Sequence, residues 1–226
     1  MRAGWALLAL PAAWAVYAFG SYAVPAGARW RGNRAERAVA LTFDDGPDPT
    51  YTPRVLDALG RLGVAAAFFL IGRRAERCPD LARRIAAEGH DLGNHTYGHR
   101  SLWLRGPAET EREIVRGHEA IERAAGAPPR FFRAPWGLTN LAAVPVLRRL
   151  GTPCVFWTLQ PESSRAVEAA QQAEWLTARA APGAIVDLHD ADGVPGAGRR
   201  TLDALPAMVA GIREAGYRLA PLRELL

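Results

Sequence analysis

Two aspartates, Asp44 and Asp45, stand directly after the apolar run AVALTF (38–43) and before Gly46 and Pro47. Adjacent carboxylates on extended or tightly turned backbone point different ways, so one can hold a metal while the other faces a substrate. Taken alone, Asp-Asp-Gly-Pro reads as an Asx turn or a helix cap. His95 and His99 sit four residues apart in NHTYGH (94–99). On a helical turn that spacing presents both imidazoles on one face, and two histidines with one carboxylate, here Asp45, are a frequent ligand set for zinc or iron. Arg133 closes a short apolar run, and His189 with Asp190 closes AIVDL (184–188). A histidine in that place is either a satisfied core residue or an acid–base group, since its reference pKa is about 6.5. His90 and His118 lack such settings and read as structural and helix-surface residues.

Groups so far apart in the chain need elements that bring them together. Apolar runs at 38–43, 64–71, 90–94, 131–133, 153–159, 184–189 and 217–219 read as strands. Helical periodicity marks Thr52–Leu62, 79–88, Pro107–Ala125, 141–150, 167–181 and 201–215, several of them bounded by Pro or Gly. Strands alternating with helices imply βαβ units and parallel pairing. Seven such units suit a barrel of the TIM type, with an open doubly wound sheet as the alternative. In either fold the strand C-terminal ends share one face, and the unusual polar residues cluster at those ends. No Gly-rich phosphate loop follows a strand, so nucleotide binding has no support.

In combination and order, TFDDGP (42–47), HTYGH (95–99), RAPWG (133–137), the run ending at Trp157, and LHD (188–190) resemble the polysaccharide deacetylases of carbohydrate esterase family 4, the NodB homology domain. The resemblance covers about 38–222. It implies a distorted (β/α)7 barrel and a metal-dependent hydrolase that removes acetyl groups from sugars. By position it makes Asp45, His95 and His99 the metal ligands, most simply for Zn2+, with Co2+ or another divalent ion as substitutes. It makes Asp44 the general base, His189 the general acid and Arg133 the partner of Asp44. Pro135, Trp136, Trp157 and Leu188 would line the substrate groove, and the Trp136 backbone N–H would help hold an oxyanion. A carbohydrate is then the expected partner.

Two places depart from the family pattern. Gln160, Ser163 and Ser164 stand where the fourth motif carries acidic and aromatic residues. Asp187 stands two residues before His189, where the family has a Leu that packs on the acetyl methyl. Residues i and i+2 of a strand share a face, so Asp187 should project beside His189. The expectation is that Asp187 replaces the missing carboxylate and raises the pKa of His189; the alternative is a plain ion pair with an arginine. A polar acyl pocket also keeps a deformylase or deacylase of a lipid-linked or small glycan in view, and a non-catalytic sugar-binding barrel is the third reading.

Composition bounds the remaining classes. The chain has 226 residues, 49% hydrophobic and 23% charged, which is globular usage. All 28 basic residues are arginine and they are scattered, so the net charge of +5 does not indicate nucleic-acid binding. Cys78 and Cys154 can make at most one bridge. Positions 3–28 carry no charge, and the stretch 3–24 is roughly 33 Å long as a helix, enough to cross a bilayer. The expected organisation is therefore an anchor or signal peptide at 1–28, a linker at 29–37 and a catalytic domain at 38–226, monomeric and outside the cytoplasmic membrane. Arg29, Arg31, Arg34 and Arg37 favour the opposite, cytoplasm-facing orientation.

Overall fold

The structure, a computed structural model, describes residues 3–23, 28–163, 168–192 and 195–226. Ser164, the expected helix start at Val167 and the leader residues 24–27 lie outside the described residues. Strand β1 (Ala38–Asp44) pairs in parallel with β2 (Ala67–Leu70) on one side and β5 (Ala184–His189) on the other. Beyond β2 come β3 (Asp91–Asn94) and β4 (Phe131–Phe132), giving the order β4-β3-β2-β1-β5. The two-residue β6 (Arg218–Leu219) pairs with Ala38 and Val39. The helices that cover the sheet are α2 (Thr52–Leu62), α3 (Gly72–Arg77), α4 (Pro79–Ala87), α5 (Pro107–Ala125), α6 (Ala143–Leu150), α7 (Ala169–Thr177), α8 (Ala197–Glu214) and α9 (Leu222–Leu225). Among the described residues the seventh strand of the expected barrel is missing, and the sheet is a parallel half-barrel of six.

The strand expected over 153–159 is an irregular bridge. Phe132 pairs with Cys154 at one end and Leu159 with Val186 at the other, so the segment spans from β4 to β5. The carbonyls of Val155 and Phe156 accept from the Arg133 guanidinium, at 3.0 and 3.1 Å, and Val155 also bridges to Arg29.

Alternation along the strands sorts core from site. Val39, Leu41 and Phe43 of β1 and Ala184, Val186 and Leu188 of β5 face the main hydrophobic core, with Val55, Leu56 and Leu59 of α2 and Leu205 and Met208 of α8. Ala38, Ala40 and Ile185 face a second cluster inside the curved sheet, with Phe69 and Phe131. By the two-residue period, Thr42, Asp44, Asp187 and His189 point to that same inner side. At Gly93 of β3 a Cβ would lie 2.3 Å from Phe69 Cδ1, so glycine is required for the Phe69 ring to lie there.

Helix α1 (Ala3–Ala23) takes up most of the expected leader segment. Among the described residues no helix is long and apolar enough to cross a membrane. The C-terminal half of α1 packs on the domain: Ala18 and Ser21 are buried, and the Tyr17 carbonyl accepts the Leu141 N–H at 2.9 Å. Cys78 and Cys154 are both free thiols. Cys154 is buried, and burial pushes its thiol up to about 12.

Candidate active site

Strand register assembles the site. Asp44 is the β1 neighbour of both Phe69 and His189, and Thr42 is the neighbour of Asp187. Leu70 pairs with Asn94, and Asn94 with Phe132, so the next residues, His95 and Arg133, reach the same end of the sheet. The resulting cleft has a volume of about 420 Å³ and is lined among others by Asp44, Asp45, His95, His99, Trp136, Trp157, Gln160, Asp187 and His189.

Arg133 is the hub and is fully buried. Its Nη1 donates to Asp44 Oδ1 at 2.8 Å, to Thr42 Oγ1 at 2.8 Å and to Asp187 Oδ1 at 3.0 Å. Its guanidinium carbon lies 4.0 Å from the Phe69 ring centre. A buried guanidinium needs such complete pairing, because an uncompensated buried charge is far costlier than an exposed one. Burial raises the Asp44 pKa above its ordinary value, an effect that Arg133 opposes. Asp187 is also raised, to about 7, by burial and by the nearby Asp44 carboxylate. The other Asp187 oxygen accepts from Gln160 Nε2 at 2.8 Å.

Asp45, His95 and His99 each offer one ligand atom, and these atoms lie within 4.8 Å of one another. The His pair is not on a helix, contrary to expectation. His95 to Arg100 is loop, with Thr96 at φ 64 and His99 at φ 54, and Asp45 is likewise left-handed at φ 74. Such φ values are uncommon outside glycine and hold only where the surroundings enforce them.

The donor set fits a divalent cation on three observations. His95 Nδ1 faces the Arg133 carbonyl at 2.8 Å, which fixes that nitrogen as the donor and leaves Nε2 as a free lone pair. Burial, followed by the nearby His99, drives the His95 pKa down to about 3, so the ring is the neutral ligand form. Asp45 Oδ1 is buried without an aligned hydrogen bond, although His99 Nε2 lies 3.0 Å away. Two acceptor atoms aimed at a common third point have that geometry. Burial opposes ionisation of Asp45, but His99, His95 and His189 outweigh it and hold the carboxyl well below the usual range.

His189 is held by a residue the sequence motifs did not single out. Its Nδ1 lies 2.5 Å from Glu162 Oε2, and its backbone N–H donates to Glu162 Oε1 at 3.2 Å. Thr201 Oγ1 donates to the same carboxylate. Burial disfavours the imidazolium, but Glu162, then Asp187 and Asp44, outweigh it and raise His189 to about 10. Asp187 itself is bonded to Arg133 and Gln160, and after Glu162 it is the next group that raises His189, so the expected ion pair and the expected effect on His189 occur together, with Glu162 as the direct partner.

Residues 31–155 match the family model described as polysaccharide deacetylase. The chain belongs to the polysaccharide deacetylase family. It is 36% identical over 200 residues to a chitooligosaccharide deacetylase of Bradyrhizobium sp., covering 84% of this chain and 90% of that one. It is 35% identical over 193 residues to a peptidoglycan-N-acetylglucosamine deacetylase of Bacillus cereus, covering 85% and 69%. A crystal structure of the Bc1960 peptidoglycan N-acetylglucosamine deacetylase superposes with TM-score 0.83 at 32% identity, covering 88% and 92%.

Against the polysaccharide deacetylase pattern, two expected groove residues are displaced. Leu188 is fully buried in the core under the helices, as its parity between Asp187 and His189 requires. Pro135 is buried at the start of a short 3-10 turn, Pro135–Gly137. Trp136, the next residue, is 60% exposed at φ 55, and its ring lies 4.5 Å from that of His99. His90 is structural: its Nδ1 accepts the Ala66 N–H at 3.0 Å.

Proposed function

We propose that this protein is a metal-dependent deacetylase of N-acetylglucosamine units in a cell-envelope polysaccharide, peptidoglycan or chitin-like. One observation carries the reading: the Asp45–His95–His99 cluster shares one cleft with Asp44 and His189, with an exposed indole at the rim. The names of the similar proteins give the same substrate class. A divalent cation held by Asp45, His95 and His99 would polarise the acyl carbonyl and acidify a water beside it.

The chain's own residues account for the proton transfers. Asp44, whose Oδ1 accepts from Arg133 at 2.8 Å, takes in its ionised form a proton from the water that attacks the acetyl carbon. The tetrahedral centre then collapses, the C–N bond breaks, and the electron pair leaves on the sugar nitrogen. Amines are poor leaving groups unless protonated. His189 Nδ1 is engaged by Glu162, so its Nε2–H is the proton that reaches that nitrogen. The products are acetate and a free amino sugar. Trp136 offers an exposed aromatic face of the kind on which sugar rings pack.

The test is product analysis on a chitooligosaccharide with Zn2+ added. Acetate release abolished by a chelator and restored by metal supports the reading, and no release refutes it. Asp187 and Gln160 make the acyl side of the cleft polar, which favours one variant reading, removal of a formyl group. Formate from an N-formyl analogue, released much faster than acetate from the parent, would replace the first reading with the second.

A further inference from the structure

Helix α1 lies outside the residues matched by the family model, 31–155, yet its C-terminal half touches both loops of the cleft rim. The Tyr22 hydroxyl donates to the Gly137 carbonyl at 2.5 Å and accepts the Thr139 N–H at 3.3 Å. It thus ties both sides of Leu138 and clamps the turn in which Trp136 holds its left-handed conformation. The Tyr22 ring lies 5.7 Å from Phe156, so the ring packs while the hydroxyl binds. One turn earlier, Tyr17 donates to the Arg105 carbonyl at 2.7 Å, and Trp14 Nε1 donates to the Trp103 carbonyl at 3.3 Å. Those two carbonyls belong to the loop that follows His99. Gly20 permits the approach, since a Cβ there would meet the Leu141 side chain at 3.0 Å.

We propose that α1 is a strap for the cleft rim, and that Tyr22 is a positioning residue that sets Trp136 over His99. A left-handed tryptophan is strained and persists only where neighbours enforce it. Tyr22 supplies a two-point tether, and Tyr17 steadies the opposing loop from the same helix. The strap stands on geometry alone; its effect on substrate rests on the deacetylase reading.

Hydrogen exchange on the full chain tests the strap without using activity. Tyr22→Phe keeps the ring and removes the tether, so amides at 137–141 should exchange faster than in the wild type; unchanged exchange overturns the proposal. Kinetics on the chitooligosaccharide test its role. KM should rise by about threefold to tenfold, the range that one lost hydrogen bond converts to, with kcat nearly unchanged. In a Trp136→Ala background the same substitution should add nothing, because interacting residues are non-additive. A purely structural role would instead lower kcat and stability alike in both backgrounds, and that pattern overturns the positioning role. If the wild type exchanges as expected but releases no acetate, the deacetylase reading fails and the strap stands. A mature chain that has lost 14–22, read by intact mass, overturns the strap itself.

Discussion

At His189 the direction of proton transfer is decided by its neighbours. A free imidazole is mostly neutral above pH 7 and a poor acid for an amine. Here Glu162 at 2.5 Å and the carboxylates of Asp187 and Asp44 raise its pKa to about 10, so the acid form persists through neutrality. In the proposed mechanism Asp44 must be ionised and has a raised pKa, so activity should fall on the acid side as Asp44 gains its proton, and on the alkaline side as His189 loses its own. Glu162→Gln removes the charge that raises His189. The alkaline limb of kcat/KM should therefore move to lower pH while the acid limb stays; an unmoved alkaline limb sinks the role of Glu162. The stability linkage has the same sign: a raised histidine pKa contributes fully below about 6.5 and is lost as pH rises through the folded value. His189→Ala should lower kcat by about 10²–10⁴, the usual scale of acid–base assistance, and a near-wild-type rate removes it from the mechanism.

At the scale of elements, β5 delivers two functions by parity, Leu188 to the core and Asp187 with His189 to the cleft. That is why a groove-lining Leu188 was never available once His189 faced inward. Asp187 and Gln160 are hydrogen-bonded, and they occupy the two positions where the family motif carries Leu and Asp. The pair reads as an exchange of place by one carboxylate, from the bridge to β5, with Arg133 as the fixed partner. Asp187→Leu should destabilise the fold by about 3 kcal/mol, because Arg133 is left with less compensation in a buried setting. Adding Gln160→Asp should recover most of that loss in urea unfolding; no recovery refutes the exchange. Much of this level was legible in the sequence: α2, α5 and β5 follow directly from periodicity and punctuation. What escaped depends on distant groups. The bridge at 153–159 turns its carbonyls to Arg133, and Glu162 meets His189 across 27 positions. The His95–His99 pair takes loop conformation because it turns back toward Asp45, against the helical reading of its spacing.

For the whole molecule, the charge inside the half-barrel is the decisive quantity. Five carboxylates, Asp44, Asp45, Glu162, Asp187 and Asp190, lie around two cations, Arg133 and protonated His189. As they ionise, negative charge is in excess in a low-dielectric interior, where each charge weighs more than in water. A divalent cation at Asp45, His95 and His99 would offset it. Its binding free energy then adds to folding, because the unfolded chain has no such site. Saturating Zn2+ at about a thousand times its Kd should stabilise the fold by roughly 4 kcal/mol, seen as a rise in Tm that a chelator reverses. Asp45→Asn removes a ligand and one of the surplus charges together. The metal-free variant should therefore be at least as stable as the metal-free parent, while its Zn2+-induced rise in Tm shrinks. A variant that is both less stable without metal and equally stabilised by it would mean that Asp45 serves the fold, and that the surplus charge is not what invites the ion.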